Sequence, residues 1–273
     1  MNNIPLEKIK NDLIAIGVKN GDLLYVHSSM KKVGMIDGSM NDVVEVFLDI
    51  LGDNGTLAAP VHTYSYVGRD VPPFNREKSK SECGIFSETV RNFHGAKRSG
   101  HASHSTAAVG RLAAFITEYH DPGSALGYCS PLHRLYRSGG KILLMGVSQS
   151  SNTIIHLAEF LSDVPYVYKS YCEEWGDSTQ EELADGTVVK YKQKKYPGCS
   201  SKFRKLNDFL TDENKFKKGE IGNSESYLMD AKYAVDAAID LLMKEPDYFL
   251  CDHEKCPCCG PRRELLKKMG LTV

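Results

Sequence analysis

KILLMGVSQSSNTIIHLAEFL, residues 141–161, changes periodicity halfway along. Lys141–Val147 is an apolar run of strand length, and a polar turn follows it. The apolar residues after Thr153 then recur at helical spacing, with Ser151 or Asn152 placed to cap the helix. The same alternation extends outward in both directions. Leu6–Ile16 has helical spacing and stops at Gly17, and KNGD turns the chain into LLYVH at 23–27. Ser39 and Asp42 form a capping-box pattern for a helix through Leu51, and DNG at 53–55 leads into TLAAP. DAKYAVDAAIDLLMKE, 230–245, is amphipathic and ends before Pro246. Strands alternating with helices predict an α/β chain, with a largely parallel or mixed central sheet between helical layers. We read residues 1–273 as a single domain. It has a substrate-side excursion at about 166–219 and a Cys-rich C-terminal tail at 251–273.

The chain has 273 residues, of which 41% are hydrophobic and 25% charged, enough apolar material for a large core. Lys plus Arg number 34 and Asp plus Glu 35, a formal net charge of −1. Bulk charge therefore does not favour binding to nucleic acid or an anionic membrane. The start, MNNIPLEKIKNDL, lacks the unbroken apolar core of a signal peptide, and no apolar run is long enough to cross a bilayer. Eight cysteines without an export signal predict free thiols and a cytoplasmic location.

In open α/β sheets, ligands sit beyond the carboxyl ends of the strands. Three segments reach that edge: YVHSSMKK, AAPVHTYSY and LLMGVSQSSNT. The long polar loop from Tyr64 to Glu82 suits a wall or lid. His156, in the helix after the 141–147 strand, can be read as a proton acceptor or as a hydrogen-bonded core histidine. His27-Ser28-Ser29 with Lys31 and Lys32 suits a phosphate, or is an ordinary strand-to-helix loop. No Walker-type loop, G-x-G-x-x-G or Gly-x-Ser-x-Gly elbow occurs. His101 and His104 supply only half of a metal site, so the Lys97–Ser105 segment is read as an anion-contacting loop with Arg98 facing a phosphate. Cys251-x4-Cys256-x-Cys258-Cys259 offers one knuckle without a second. We read these as free, partly buried thiols and expect no metal, with a structural zinc as the competing reading.

The ordered blocks LLYVHSSMKKVG, GTLAAPVHTYSY, CGIFSETVRN, GAKRSGHASHSTAAVG, SPLHRLY, GGKILLMGV and NTIIHLAE together resemble the aminoglycoside 3-N-acetyltransferase family. The likeness resumes in PGCSSKF, GEIGNSES and EPDYFLC. It implies an α/β/α sandwich distinct from the GNAT acetyltransferase fold, with acetyl-coenzyme A as donor and an amino-sugar amine as acceptor. It assigns His156 as the catalytic general base. His27, Ser28, Ser29, Met30 and Lys31, with Arg98, Ser105 and Thr106, correspond to segments that hold coenzyme A. Asp70 takes the place of an acid that contacts the cationic acceptor. The implied partner is a small-molecule amine, with no nucleic acid or membrane, and a homodimer is compatible with this reading.

Two departures bear on the acceptor. The family's His-Pro pair is His101-Ala102 here, and the acids usually preceding the Cys-x-x-x-Phe segment are replaced by Lys190–Pro197, KYKQKKYP. Residues 170–189 hold six acids and no Lys or Arg, whereas 190–218 hold ten basic residues and three acids. Glu173 and Glu174, in the acidic block, are the expected acceptor contacts. Otherwise the acceptor is another amine, or the chain binds its ligand without turnover.

Overall fold

The Lys141–Met145 run is a strand whose Ile142, Leu143, Leu144 and Met145 are all fully buried. Such a run needs apolar cover on both faces, and that requirement places the strand inside the sheet rather than at its edge. The structure, a computed structural model, describes residues 3–68, 70–170, 178–253 and 255–271. The main sheet contains β1 (Leu23–Ser28), β2 (Thr56–Pro60), β3 (Lys97–Arg98), β4 (Thr106–Gly110), β5 (Lys141–Met145), β6 (Phe216–Ile221) and β7 (Ser224–Asp230). Their spatial order is β6-β7-β5-β1-β2-β4-β3.

The sheet is mixed. β5, β1 and β2 run parallel at its centre, with Val26 opposite Leu143 and Tyr25 opposite Ala58. The flanking strands are antiparallel. β6 and β7 are joined by the tight Gly222-Asn223 turn, with Gly222 at φ 61°, and a hairpin of that length can only reverse the chain.

Successive residues of the central strands enter opposite cores. Leu24, Val26, Leu57, Ala59, Leu143 and Met145 meet the apolar faces of α1 (Leu6–Ile16), α2 (Met40–Leu51) and α3 (Ile85–Asn92). Leu23, Tyr25, Ala58, Ile142 and Leu144 meet α4 (Pro131–Arg137), α5 (Ile154–Leu161) and α6 (Ala231–Lys244). α1 ends at Gly17, whose φ of 112° forms a left-handed cap. α2 begins at the expected capping box, with the Asp42 N–H donating to Ser39 Oγ at 3.2 Å and the Ser39 N–H donating to Asp42 Oδ2 at 2.7 Å.

A smaller sheet covers the ligand edge. Ser178–Glu182 and Val188–Lys192 pair as a hairpin, and Phe74–Asn75 joins parallel to the first of them. The tail helix α7 (Cys259–Lys268) packs Cys259 and Leu266 into the second core. Among the described residues, no helix is long and apolar enough to cross a membrane.

Leu143→Ala removes a side chain buried between helix and sheet and is expected to cost about 2–5 kcal/mol in denaturant unfolding. Phe115→Ala, at a site 42% exposed, should change stability by less than about 0.5 kcal/mol. Equal losses at the two sites would contradict the two-faced core.

Candidate active site

The carboxyl ends of β1, β2 and β5 open onto one cavity of about 580 Å³. β1 delivers His27 and Ser28, the chain after β2 delivers His62 and Tyr64, and the turn after β5 delivers Ser150 through Thr153. Thus all three edge segments expected from the sequence meet in one place. Ser103, His104, Cys83, Gln193 and the stretch Tyr196–Gly198 close the remaining sides.

His156 lies on this wall. β5 is followed by Gly146 at φ 68° and a 3-10 turn over Gln149–Ser151. The Asn152 side chain donates to Gln149 Oε1 at 2.7 Å and accepts the Ile154 N–H at 3.3 Å. The α-helix therefore starts at Ile154 and His156 lies in its first turn. Its Nδ1 is 2.5 Å from Glu159 Oε2, a pairing that the i,i+3 spacing allows. Tyr166 donates its hydroxyl to the other oxygen, Oε1, at 2.7 Å. Glu159 is 1% exposed, and burial pushes the Tyr166 hydroxyl well above its ordinary range, so it remains a donor. The Phe203 ring stands edge-on to the imidazole at 4.6 Å between centroids. A neutral imidazole that donates from Nδ1 leaves Nε2 as its proton acceptor.

Five more buried imidazoles lie around this group, His27 among them. His62 Nδ1 lies 2.8 Å from the Tyr64 hydroxyl, and its ring centroid is 4.5 Å from that of His104. His104 Nδ1 is 2.7 Å from Ser103 Oγ. Behind them, His101 stacks on His120 at 4.8 Å and accepts the N–H groups of Ser103 and His104 on Nδ1. Burial is the leading cause that holds His62 and His101 well below the usual histidine range. It lowers His27 and His104 to about 3 and His120 to about 4. Near neutral pH these rings are uncharged. The same desolvation pushes the Cys83 thiol up to about 11.

The remaining expected residues are placed as follows. Ser29 caps the short turn Met30–Val33, and Ser29, Met30 and Lys31 lie off the cavity wall. Arg98 is 9% exposed. Its guanidinium donates to the carbonyls of Arg76, Ser79 and Val61 and to Ser105 Oγ, and it packs 4.8 Å from the Phe74 ring centroid. Those bonds fasten the 76–79 loop to the sheet edge instead of facing a phosphate. A cation at so buried a strand end needs acceptors, and the loop's carbonyls supply them. The Ser105 hydroxyl donates to the Val61 carbonyl, and Thr106 sits in β4 beside the Tyr25 hydroxyl. Asp70 is exposed, at φ 57°, and is also off the wall. Glu173 and Glu174 lie outside the described residues.

The basic run turns away from the cavity. Lys194 pairs with Asp121 at 3.1 Å, and Lys195 with Asp163 at 2.5 Å. Gln193, Tyr196 and Pro197 are what the run contributes to the wall. Glu181 and Glu182 pair with Arg76 and Lys78. Among the described residues the lining contains no Lys, Arg, Asp or Glu. A second cleft of about 500 Å³ shares Val147 with the first and contains Lys32, Ser148 and Arg204. Four thiols, Cys199, Cys251, Cys256 and Cys259, also come together, and Cys199 lies in sequence between the lining residues Gly198 and Ser200.

Sequence reasoning did not identify Tyr166, His62 or Tyr64 as site residues. VHTYSY carried the signal for the last two, as a strand end rich in rings. Nothing local marked Tyr166 as the partner of Glu159.

The chain is similar to known proteins over most of its length. The family model described as aminoglycoside 3-N-acetyltransferase matches residues 25–243. The chain is 30% identical over 240 residues to aminoglycoside N(3)-acetyltransferase IV of Salmonella sp, covering 87% of each chain. A crystal structure of aminoglycoside acetyltransferase AAC(3)-IVa as apoenzyme superposes with a TM-score of 0.80 at 28% identity, covering 97% of this chain and 98% of that one. A histidine-to-alanine mutant of AAC(3)-IVa, in complex with a gentamicin, gives a TM-score of 0.80 at 27% identity, covering 96% and 98%.

The buried histidines make stability depend on pH. The unfolded chain takes up protons near pH 6.5, where the folded chain does not, so their contribution is complete above about that pH. It is lost as pH falls toward the folded values. Between about pH 6.5 and 5 the unfolding free energy should fall more steeply than the roughly 1.4 kcal/mol per pH unit of a single group. Denaturant titrations across that range measure the slope. A slope no steeper than one group's would contradict the neutral cluster.

Proposed function

The chain belongs to the aminoglycoside 3-N-acetyltransferase family, and on that premise we propose that it moves an acetyl group from acetyl-coenzyme A to the 3-amino group of a 2-deoxystreptamine aminoglycoside. The observation that carries the reading is the His156–Glu159–Tyr166 chain of hydrogen bonds at the wall of the cavity. The acceptor amine, in its neutral form, attacks the thioester carbonyl. Its C–N bond forms, the C–S bond breaks, and coenzyme A leaves as the thiol. His156 Nε2 takes the amine proton and passes it to the departing sulfur, while Glu159 steadies the transient imidazolium. The amino end of α5, at Asn152 and Thr153, supplies positive potential for the developing oxyanion.

Transfer is direct. The thiol lining the cavity, Cys83, is held protonated by burial, which disfavours an acyl-cysteine intermediate. His27 and Ser28 hold the thioester end of the donor. The turn that starts at Ser29, Met30 and Lys31 carries Lys32 to the second cleft, where it and Arg204 meet the anionic end. Arg98, Ser105 and Thr106 lie toward the other end of the sheet, where Arg98 and Ser105 support the wall that carries His62 from behind through the Val61 carbonyl. A cationic acceptor meets no Lys or Arg among the described lining residues, and the neutral histidines do not repel it. The gentamicin complex of the relative at 27% identity supports the same acceptor class.

A second reading follows from the same wall. Since the described lining carries no carboxylate, the acceptor is alternatively an amino sugar of lower charge. Thiol release from acetyl-coenzyme A across a panel of amines separates the two. Turnover with 2-deoxystreptamine drugs and not with amino monosaccharides supports the first reading, and the opposite pattern supports the second. Drug binding with no thiol release would indicate a silent ligand-binding member. His156→Ala should lower kcat by about 10²–10⁴ while acetyl-coenzyme A still binds. Near-normal turnover would remove His156 from the mechanism.

A further inference from the structure

Three thiols of the tail, Cys251, Cys256 and Cys259, are joined by a fourth from a distant segment, Cys199. All four sulfur atoms lie within 4.8 Å of one another. A tetrahedral zinc with Zn–S bonds of about 2.3 Å needs sulfur–sulfur edges of about 3.8 Å, so a small contraction completes the geometry. We propose that Cys199, Cys251, Cys256 and Cys259 bind one structural Zn²⁺, which fastens the wall of the catalytic cavity to the C-terminal helix. Three ligands come from the tail, and the fold brings in the fourth, Cys199. This site does not depend on the acetyltransferase reading.

The backbone around the thiols supports metal binding. The Cys259 N–H donates to Cys256 Sγ at 3.4 Å, and the Cys256 N–H closes a turn onto the His253 carbonyl at 3.0 Å. N–H groups directed at sulfur stabilise thiolate and orient it toward a shared centre. Four thiolates and a divalent ion carry a net charge of −2, and two arginines lie beside them. Arg263 donates to the Cys251 carbonyl. Arg262 is 1% exposed and donates Nη2 to the carbonyls of Lys169, Tyr196 and Pro197. Its Nε and Nη1 are buried without a hydrogen-bond partner, so its charge is not neutralised by a carboxylate bond there. An anionic metal–thiolate centre next to it offers compensation. Cys258 is adjacent in sequence but outside the four-sulfur group.

Tyr196, Pro197, Gly198 and Ser200 line the cavity, and Cys199 lies among them. A metal bound there holds this wall without touching substrate. Four sulfur donors with no carboxylate or imidazole among them select a soft, tetrahedral ion, and zinc fits that set.

Metal analysis of the full-length protein, purified under reducing conditions with zinc supplied, tests the proposal. The expected result is close to one zinc per chain. Cys199→Ser and Cys256→Ser should each reduce the content several-fold and lower the thermal midpoint, whereas Cys258→Ser keeps its zinc. If the variants fail to fold, the parent protein loaded with Co²⁺ should show a thiolate charge-transfer band and the intense visible absorption of a tetrahedral site. Zinc below about a tenth of an equivalent in the folded parent, two disulfides among these four residues, or full zinc retention by Cys199→Ser would overturn it.

Discussion

A buried carboxylate holds the site together. Glu159 is sealed from water and has two partners, the His156 imidazole on one oxygen and the Tyr166 hydroxyl on the other. Such a charge is tolerable only when its oxygens are bonded, and each charge-assisted bond contributes about 1.5–3 kcal/mol. The arrangement also constrains geometry. Glu159 and His156 sit on the same helix, whereas Tyr166 begins the segment that leads into the small covering sheet. The interaction that orients the imidazole therefore also fixes where the covering segment leaves the helix.

The main sheet explains why the site lies where it does. In the main sheet β5, β1 and β2 are adjacent and parallel, so their carboxyl ends lie side by side at one edge. The cavity follows from that direction, and its histidines come from the chain just beyond those ends or from the loop opposite. Because the ring cluster is almost dry, it is neutral near pH 7. Among the described rings of this cluster, His156 is thereby distinguished by its carboxylate partner. The covering segment has a second anchor in Arg262, whose side chain ties the tail helix to the carbonyls of Tyr196 and Pro197.

Much of this was legible in the sequence because it depends on local order. KILLMGV has strand length and no polar break, Ser39 and Asp42 have the spacing of a capping box, and NTIIHLAE places a histidine near a helix start. Features set by long-range contacts were not legible. Arg98 has the same chemistry whether it faces a phosphate or three carbonyls, and only burial separates the two. In the sequence, lysines at 190–195 stand where the resemblance leads one to expect acids. Lys194 and Lys195 pair with Asp121 and Asp163 on other segments, a choice that spacing along one strand cannot reveal. Cys199 belongs with the tail thiols through the packing of α7, and no motif spans that gap.

The central claim is that Glu159 makes His156 a base by fixing its tautomer and orientation. Glu159→Gln keeps the shape and removes the charge. Its most direct measure is the single-turnover rate of acetyl transfer, with enzyme saturated by donor and amine. The account predicts a fall of about 10²–10⁴ with folding and acetyl-coenzyme A binding intact. A rate within about twofold of the parent would contradict it.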